Sequence, residues 1–158
     1  MTDATFQDGA EAPLHLKAMD ADDLAVISAL IQDAVFPAGE MVYQRGQRRF
    51  AVLLNRFRWE DVTAAERAGR VFERVQAVLS FDDVLGVSTQ GLRRGDFETV
   101  LSVLSVGFEP GVDGTGRVVV MLAGEAAIAL EVECLDVTLL DVTRPYGAPS
   151  GKMPGHPA

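Results

Sequence analysis

Between Val35 and Thr143 the apolar residues recur with a period of two, in short runs broken by glycine, proline and aspartate. The clearest run is Ala127 to Cys134, where Ile128, Leu130, Val132 and Cys134 point one way and Ala129, Glu131 and Glu133 the other. Successive side chains of a strand alternate between faces, so this pattern specifies half-buried strands joined by tight turns. Further strands are predicted at Leu14–Met19, Glu40–Gln44, Arg49–Arg58, Val84–Leu92, Phe97–Phe108 and Arg117–Leu122. Both faces of Arg49–Arg58 are apolar at its centre, which places it inside a sheet.

Turn chemistry punctuates these strands. Phe36-Pro37-Ala38-Gly39 reads as a turn, as does Arg93-Arg94-Gly95-Asp96, and Pro110 to Gly116 as a loop. Gly124-Glu125 suits a II′ turn with glycine first. At Cys134-Leu135 the alternation reverses, which one extra residue in a β-bulge explains.

One stretch has helical spacing. Asp20 stands at an N-cap position, Asp22 and Asp23 favour the positive end of the dipole, and Leu24, Ile27 and Ile31 follow at i, i+3 and i+7. An amphipathic helix over 21–33 is predicted. Segment 64–80 fits both periods, and a helical turn from Thr63 followed by a strand from Arg74 to Phe81 is the expectation. The resulting class is α+β: an antiparallel β-meander of about eight short strands, strongly bent or partly open as a barrel, with one firm N-terminal helix.

The chain has 158 residues, enough for one domain with a core of its own. Residues 14–143 carry the patterning. Residues 1–13 lack it, and residues 144–158 hold four of the seven prolines, so flexible tails are expected on both sides. No run approaches the ~18 apolar residues of a spanning helix, and no basic, apolar leader is visible at the start. A cytoplasmic protein without membrane contact is expected.

Chemical motifs are sparse. There is no phosphate loop and no dinucleotide fingerprint, and Gly111, Gly114 and Gly116 read as hairpin-loop glycines. His15 and His156 stand at opposite ends of the chain without a triad in sequence. Cys134, the single cysteine, reads as a packed apolar residue. Glu131, Glu133, Asp136 and Asp141 read as a solvated strand face, and Asp82-Asp83 as turn chemistry. No catalytic residue, metal or cofactor is assigned.

Charge is the feature above background. Residues 45–74 hold eight arginines against four acids, a local charge of +4 in a chain of −9 overall. Arginine outnumbers lysine 12 to 2, and its planar guanidinium grips carboxylate or phosphate in a bidentate fashion. Arg45, Arg48, Arg49, Arg56, Arg58 and Trp59 are therefore the candidate partner-binding residues, Trp and Arg being the usual anchors of interfaces. The same arginines also suit pairing with acids of neighbouring strands. A non-enzymatic protein docking a protein partner is the first expectation. A small-ligand or nucleic-acid domain built on 55–59 is the alternative, with nucleic acid disfavoured by the acidic whole. Self-association remains open, since the strand edges are unassigned.

Three stretches carry a likeness to a known group: Asp23 to Val35, Arg48-Arg49-Phe50 through Asn55-Arg56-Phe57-Arg58-Trp59-Glu60, and Phe81 through Ile128-Ala129-Leu130-Glu131-Val132-Glu133-Cys134. Across about residues 14–142 the chain resembles a small alphaproteobacterial family classed as a domain of unknown function. The resemblance implies a bacterial cytoplasmic origin in a housekeeping setting and supplies no catalytic residues to carry over.

Overall fold

A computed structural model describes residues 13–148 and 153–154. The elements run β1 His15–Ala18, α1 Ala21–Leu30, β2 Val35–Pro37, β3 Met41–Gln44, β4 Arg49–Phe57, α2 Val62–Ala68 and β5 Glu73–Phe81. They continue with β6 Val84–Gln90, β7 Val100–Pro110, β8 Gly116–Leu122, β9 Ala126–Val132, β10 Val137–Asp141 and β11 Tyr146–Gly147. All strand pairs are antiparallel, in one unclosed sheet of order β1-β10-β5-β4-β2-β7-β8-β9-β6. Strand β3 adds to β4, and β11 adds to β5 beyond β10. The class is α+β, mostly antiparallel sheet with two short helices.

Eleven strands replace the expected eight, for three local reasons. Val35–Pro37, read as part of a turn, bridges β4 and β7 as a three-residue strand. The stretch expected to bulge at Cys134 instead leaves one half of the sheet and enters the other. Strand β9 ends at Val132 between β8 and β6, and β10 begins at Val137 between β1 and β5. The reversal of parity marks this change of partners. Beyond Thr143 the chain pairs once more, Tyr146 opposite Arg74. Of the expected flexible tails 1–13 and 144–158, residues 1–12, 149–152 and 155–158 lie outside the described residues.

The Asp20 side chain caps α1, its Oδ1 accepting the Asp23 amide at 2.8 Å. The helix stops at Leu30, short of residue 33, and Asp33 adopts a left-handed φ of 64°. Leu24, Ile27 and the capping Ile31 are buried, but Val26 is 54% exposed, so the apolar residues are not confined to one face as expected. At the β8–β9 connection both Gly124 (φ 80°) and Glu125 (φ 63°) are left-handed, within a three-residue loop rather than a II′ turn.

The two halves of the sheet share one core. Val52 and Leu54 of β4, Leu79 of β5 and Leu139 of β10 belong to the same apolar cluster as Val120 and Leu130 of β8 and β9, with Leu24 and Ile27 of α1 and its C-cap Ile31. Each such buried side chain contributes roughly 1.5–3 kcal/mol. Helix α1 is tied to β7 by the Val106 amide, which donates to Ser28 Oγ at 2.9 Å.

Phe57 departs from this pattern. It ends β4 on the opposite face from Arg56, fully buried, with its ring edge-on to Trp59 (centroids 4.6 Å) and Phe72 (5.8 Å). The buried Ala65 lies on α2, which packs against the Trp59–Asp61 turn.

Candidate functional site

The six candidate residues divide between the two ends of β4. Arg56 lies seven positions beyond Arg49, which at ~3.3 Å per residue is about 23 Å. The structure therefore does not assemble them into one site.

At the start of β4 the chain makes a single 3-10 turn, Arg45–Gln47, followed by Arg48 in a left-handed conformation (φ 52°). Arg48 Nη1 donates to Glu133 Oε2 at 2.9 Å and Arg49 Nε to Asp82 Oδ1 at 2.8 Å. Both guanidinium groups remain about half exposed. Arg45 has no carboxylate partner among the described residues; its guanidinium lies 5.9 Å from the centre of the Tyr43 ring. The turn sits where the β5–β6 turn and the β9–β10 crossing come together. The Val84 amide donates to Arg48 O, the Glu133 amide to Asp83 O, and the Tyr43 hydroxyl to Val84 O.

Cys134 belongs to this end too, and it is exposed rather than packed. It lies beyond β9, where the strand alternation no longer applies. Its thiol donates to Asp83 Oδ2 at 3.0 Å. That hydrogen bond, with partial desolvation and the surrounding carboxylates, pushes the thiol pKa up to about 11.

At the far end of β4, Arg56 is wholly buried. All five of its N–H donors have acceptors: Nε and Nη2 reach Asp141, Nη1 and Nη2 reach Glu60, and Nη1 also lies 3.5 Å from Phe57 O. Burial alone would ease loss of the proton. The hydrogen bonds to Glu60 and Asp141, with their charges, outweigh burial and raise the pKa above that of an ordinary arginine.

Arg58, 4% exposed, donates to Glu73 Oε1 at 2.5 Å and faces Asp61 at 3.7 Å. Asp61 also accepts two bonds from Arg70, at 2.7 and 2.9 Å. The Arg70 hydrogen bonds hold the Asp61 carboxyl below the usual range against the opposing effect of burial. Trp59 is half-buried, its Nε1 donating to Gln32 O at 2.9 Å. Arg74 donates to Asn55 Oδ1 and lies over the Phe57 ring, and burial lowers its pKa.

Arg56 and Arg58, named as candidates for partner contact, are both interior, with their donors turned to carboxylates of the same chain. Asp141, expected on a solvated strand face, is the buried partner of Arg56. Sequence spacing links Arg56 to Glu60 at i+4, but nothing in it links Arg56 to Asp141.

The remaining acids disperse. Glu131 pairs with Arg117 at 2.7 Å and Glu133 with Arg48, so they do not stand side by side. The Glu131 hydrogen bond raises the Arg117 pKa. Asp83 adopts φ 58° in the β5–β6 turn, as turn chemistry demands. Among the described residues no set of three His, Cys, Asp or Glu side chains converges as metal ligands, and no helix is long and apolar enough to cross a membrane. His15 is exposed on β1, and His156 lies outside the described residues. A shallow groove of about 350 Å³ runs beside the β7–β8 loop, lined in part by Gly111, Thr115 and Arg117. There Gly111 donates to Thr115 O, closing a hairpin loop.

No curated protein and no solved structure matches the chain. A family model described as a protein of unknown function matches residues 14–156. That span takes in every described strand and both arginine groups, and the chain belongs to this family, DUF2948.

Proposed function

We propose that the protein is a non-enzymatic binding module that docks an acidic protein surface through the turn at the start of β4. The observation that carries this reading is Arg45: exposed, stacked on Tyr43, and without a carboxylate partner among the described residues. Arg48 and Arg49 flank it in half-exposed ion pairs. Such pairs are worth little in water, so their arginines exchange partners at small cost. Val42, half exposed on the preceding strand, adds apolar area beside the turn. The alternative reading at 55–59 loses its chemistry, because Arg56 has no donor left for a ligand.

The test is a pull-down from native cell lysate, with and without nuclease, comparing the wild type with Arg45→Glu. Arg45 is the residue to change, because reversing Arg48 or Arg49 sets a carboxylate against Glu133 or Asp82 and disturbs the fold. A protein retained in both nuclease conditions and lost with Arg45→Glu is the expected result. Retention by the variant, or loss on nuclease treatment, overturns the reading, and the second outcome points to nucleic acid instead.

A further inference from the structure

The outer face of β7-β8-β9-β6 differs in character from the rest of this acidic surface. Register fixes which side chains share it: Gly107, Val119, Ala129 and Ser88 form one row across the four strands, and Ser105, Met121, Ala127 and Gln90 the next. Neither row holds an ionisable group, and Met121 is 43% exposed. The terminal row is charged and runs Glu109, Arg117, Glu131, Gly86.

One of its glycines has no local cause. Gly107 has no left-handed φ, and a Cβ there would meet nothing within 4 Å, whereas Gly86 sits at the register shift that follows Val84. Glycine inside a strand weakens it and often marks the close approach of another backbone.

We propose that this face joins two copies of the chain, related by a two-fold axis that runs along the strands between β8 and β9. The register itself supplies the charge complementarity. Such an axis sets β8 of one copy over β9 of the other at the same level, so the Arg117–Glu131 ion pair of one chain faces the same pair of the second with arginine over glutamate, a four-charge cluster. It also sets β7 over β6, so Glu109 lies above the open Gly86 rather than above a like charge. In the uncharged rows two strongly acidic chains meet without opposing carboxylates. Aligned sheets pack about 10 Å apart with strands inclined near 30°, a spacing that arginine and glutamate side chains span from both sides.

Size sets the strength. Four strands ~4.8 Å apart and five residues long bury roughly 1,000 Å² in total once side chains are included, the low end for specific interfaces. The dimer is therefore reversible and concentration-dependent. The proposal is independent of the docking turn, since Arg45 lies on the other half of the sheet.

Sedimentation velocity of the full chain over about 1–500 µM tests it. The wild type is expected to move from one chain mass towards two. Ala129→Arg, which places a charge at the centre of the face, is expected to stay monomeric with an unchanged circular dichroism spectrum. Arg117→Glu and Glu131→Arg each weaken association at least about tenfold, and the double swap restores it. The swap keeps the test open even where a single variant folds poorly. A wild type monomeric throughout, an Ala129→Arg chain that dimerises like the wild type, or a double swap without recovery overturns the proposal.

Discussion

Arg56 and Asp141 lie 85 positions apart in sequence and meet side on, Nε to Oδ1 at 2.9 Å and Nη2 to Oδ2 at 2.8 Å. Glu60 closes the other side of the guanidinium. Asp141 in turn accepts the Leu14 amide, so one buried ion pair ties β4, β10 and the entry to β1 together. Removing one partner of such a pair strands the other and costs about 3–5 kcal/mol. Arg56→Met is expected to lose that much in urea denaturation, leaving two carboxylates without their cation. Arg56→Lys is expected to recover only part of it, because a lysine has no planar fork for two carboxylates at once.

Asp61 gives the fold an acid limit. Its carboxyl is held low by Arg70, so the unfolded chain takes up a proton at a higher pH than the folded one. Stability from this group is fully present above the ordinary carboxylate value of about 3.9 and drains as pH falls through the lower folded value. Thermal melts between about pH 2 and pH 5 are expected to show this slope. Asp61→Asn is expected to flatten it and to lower stability at neutral pH.

Cys134 behaves in the opposite sense. Its thiol pKa of about 11 keeps it protonated at neutral pH, and the hydrogen bond to Asp83 belongs to that form. The associated stability is present below the ordinary thiol value of about 8.5 and lost as pH rises through the folded one. Alkylation by iodoacetamide at pH 8 is expected to run at least about ten times slower than for a free cysteine. Asp83→Asn is expected to speed it; an equal rate in the variant would show that the carboxylate does not hold the proton.

Gly91 is required for two reasons at once. Its φ is 76°, and a Cβ there would stand 2.8 Å from Glu125 O and 3.1 Å from Ala126 Cα. Both neighbours are backbone and cannot swing aside. Gly91→Ala is expected to cost on the order of 1–2 kcal/mol from the dihedral alone, with the clash added, read as a fall in melting temperature.

Local chemistry was legible in the sequence. The Asp20 cap and the strands β3, β4 and β5 each depend on neighbours within a few positions, whereas the helix near Thr63 forms over Val62–Ala68 without the Thr63 cap its sequence suggested. Alternation and capping report such contacts directly. The Asp82-Asp83 turn was readable for the same reason, since a side chain that bonds nearby backbone acts over two or three residues.

Sheet partners were decided only by tertiary structure. The reversal at Cys134-Leu135 was visible, but a bulge and a change of sheet produce the same parity shift. Which one occurs depends on whether Val137 meets Phe81, 56 positions earlier, or continues beside β8. The arginines divide in the same way. The sequence by itself determined how many there are and that they cluster on and around one strand. It did not determine that Arg56 turns inward to Asp141 while Arg45, eleven positions before it, stays in solvent. Strand parity and the 85-residue closure settle that, because a buried guanidinium is tolerable only where distant carboxylates arrive to meet it.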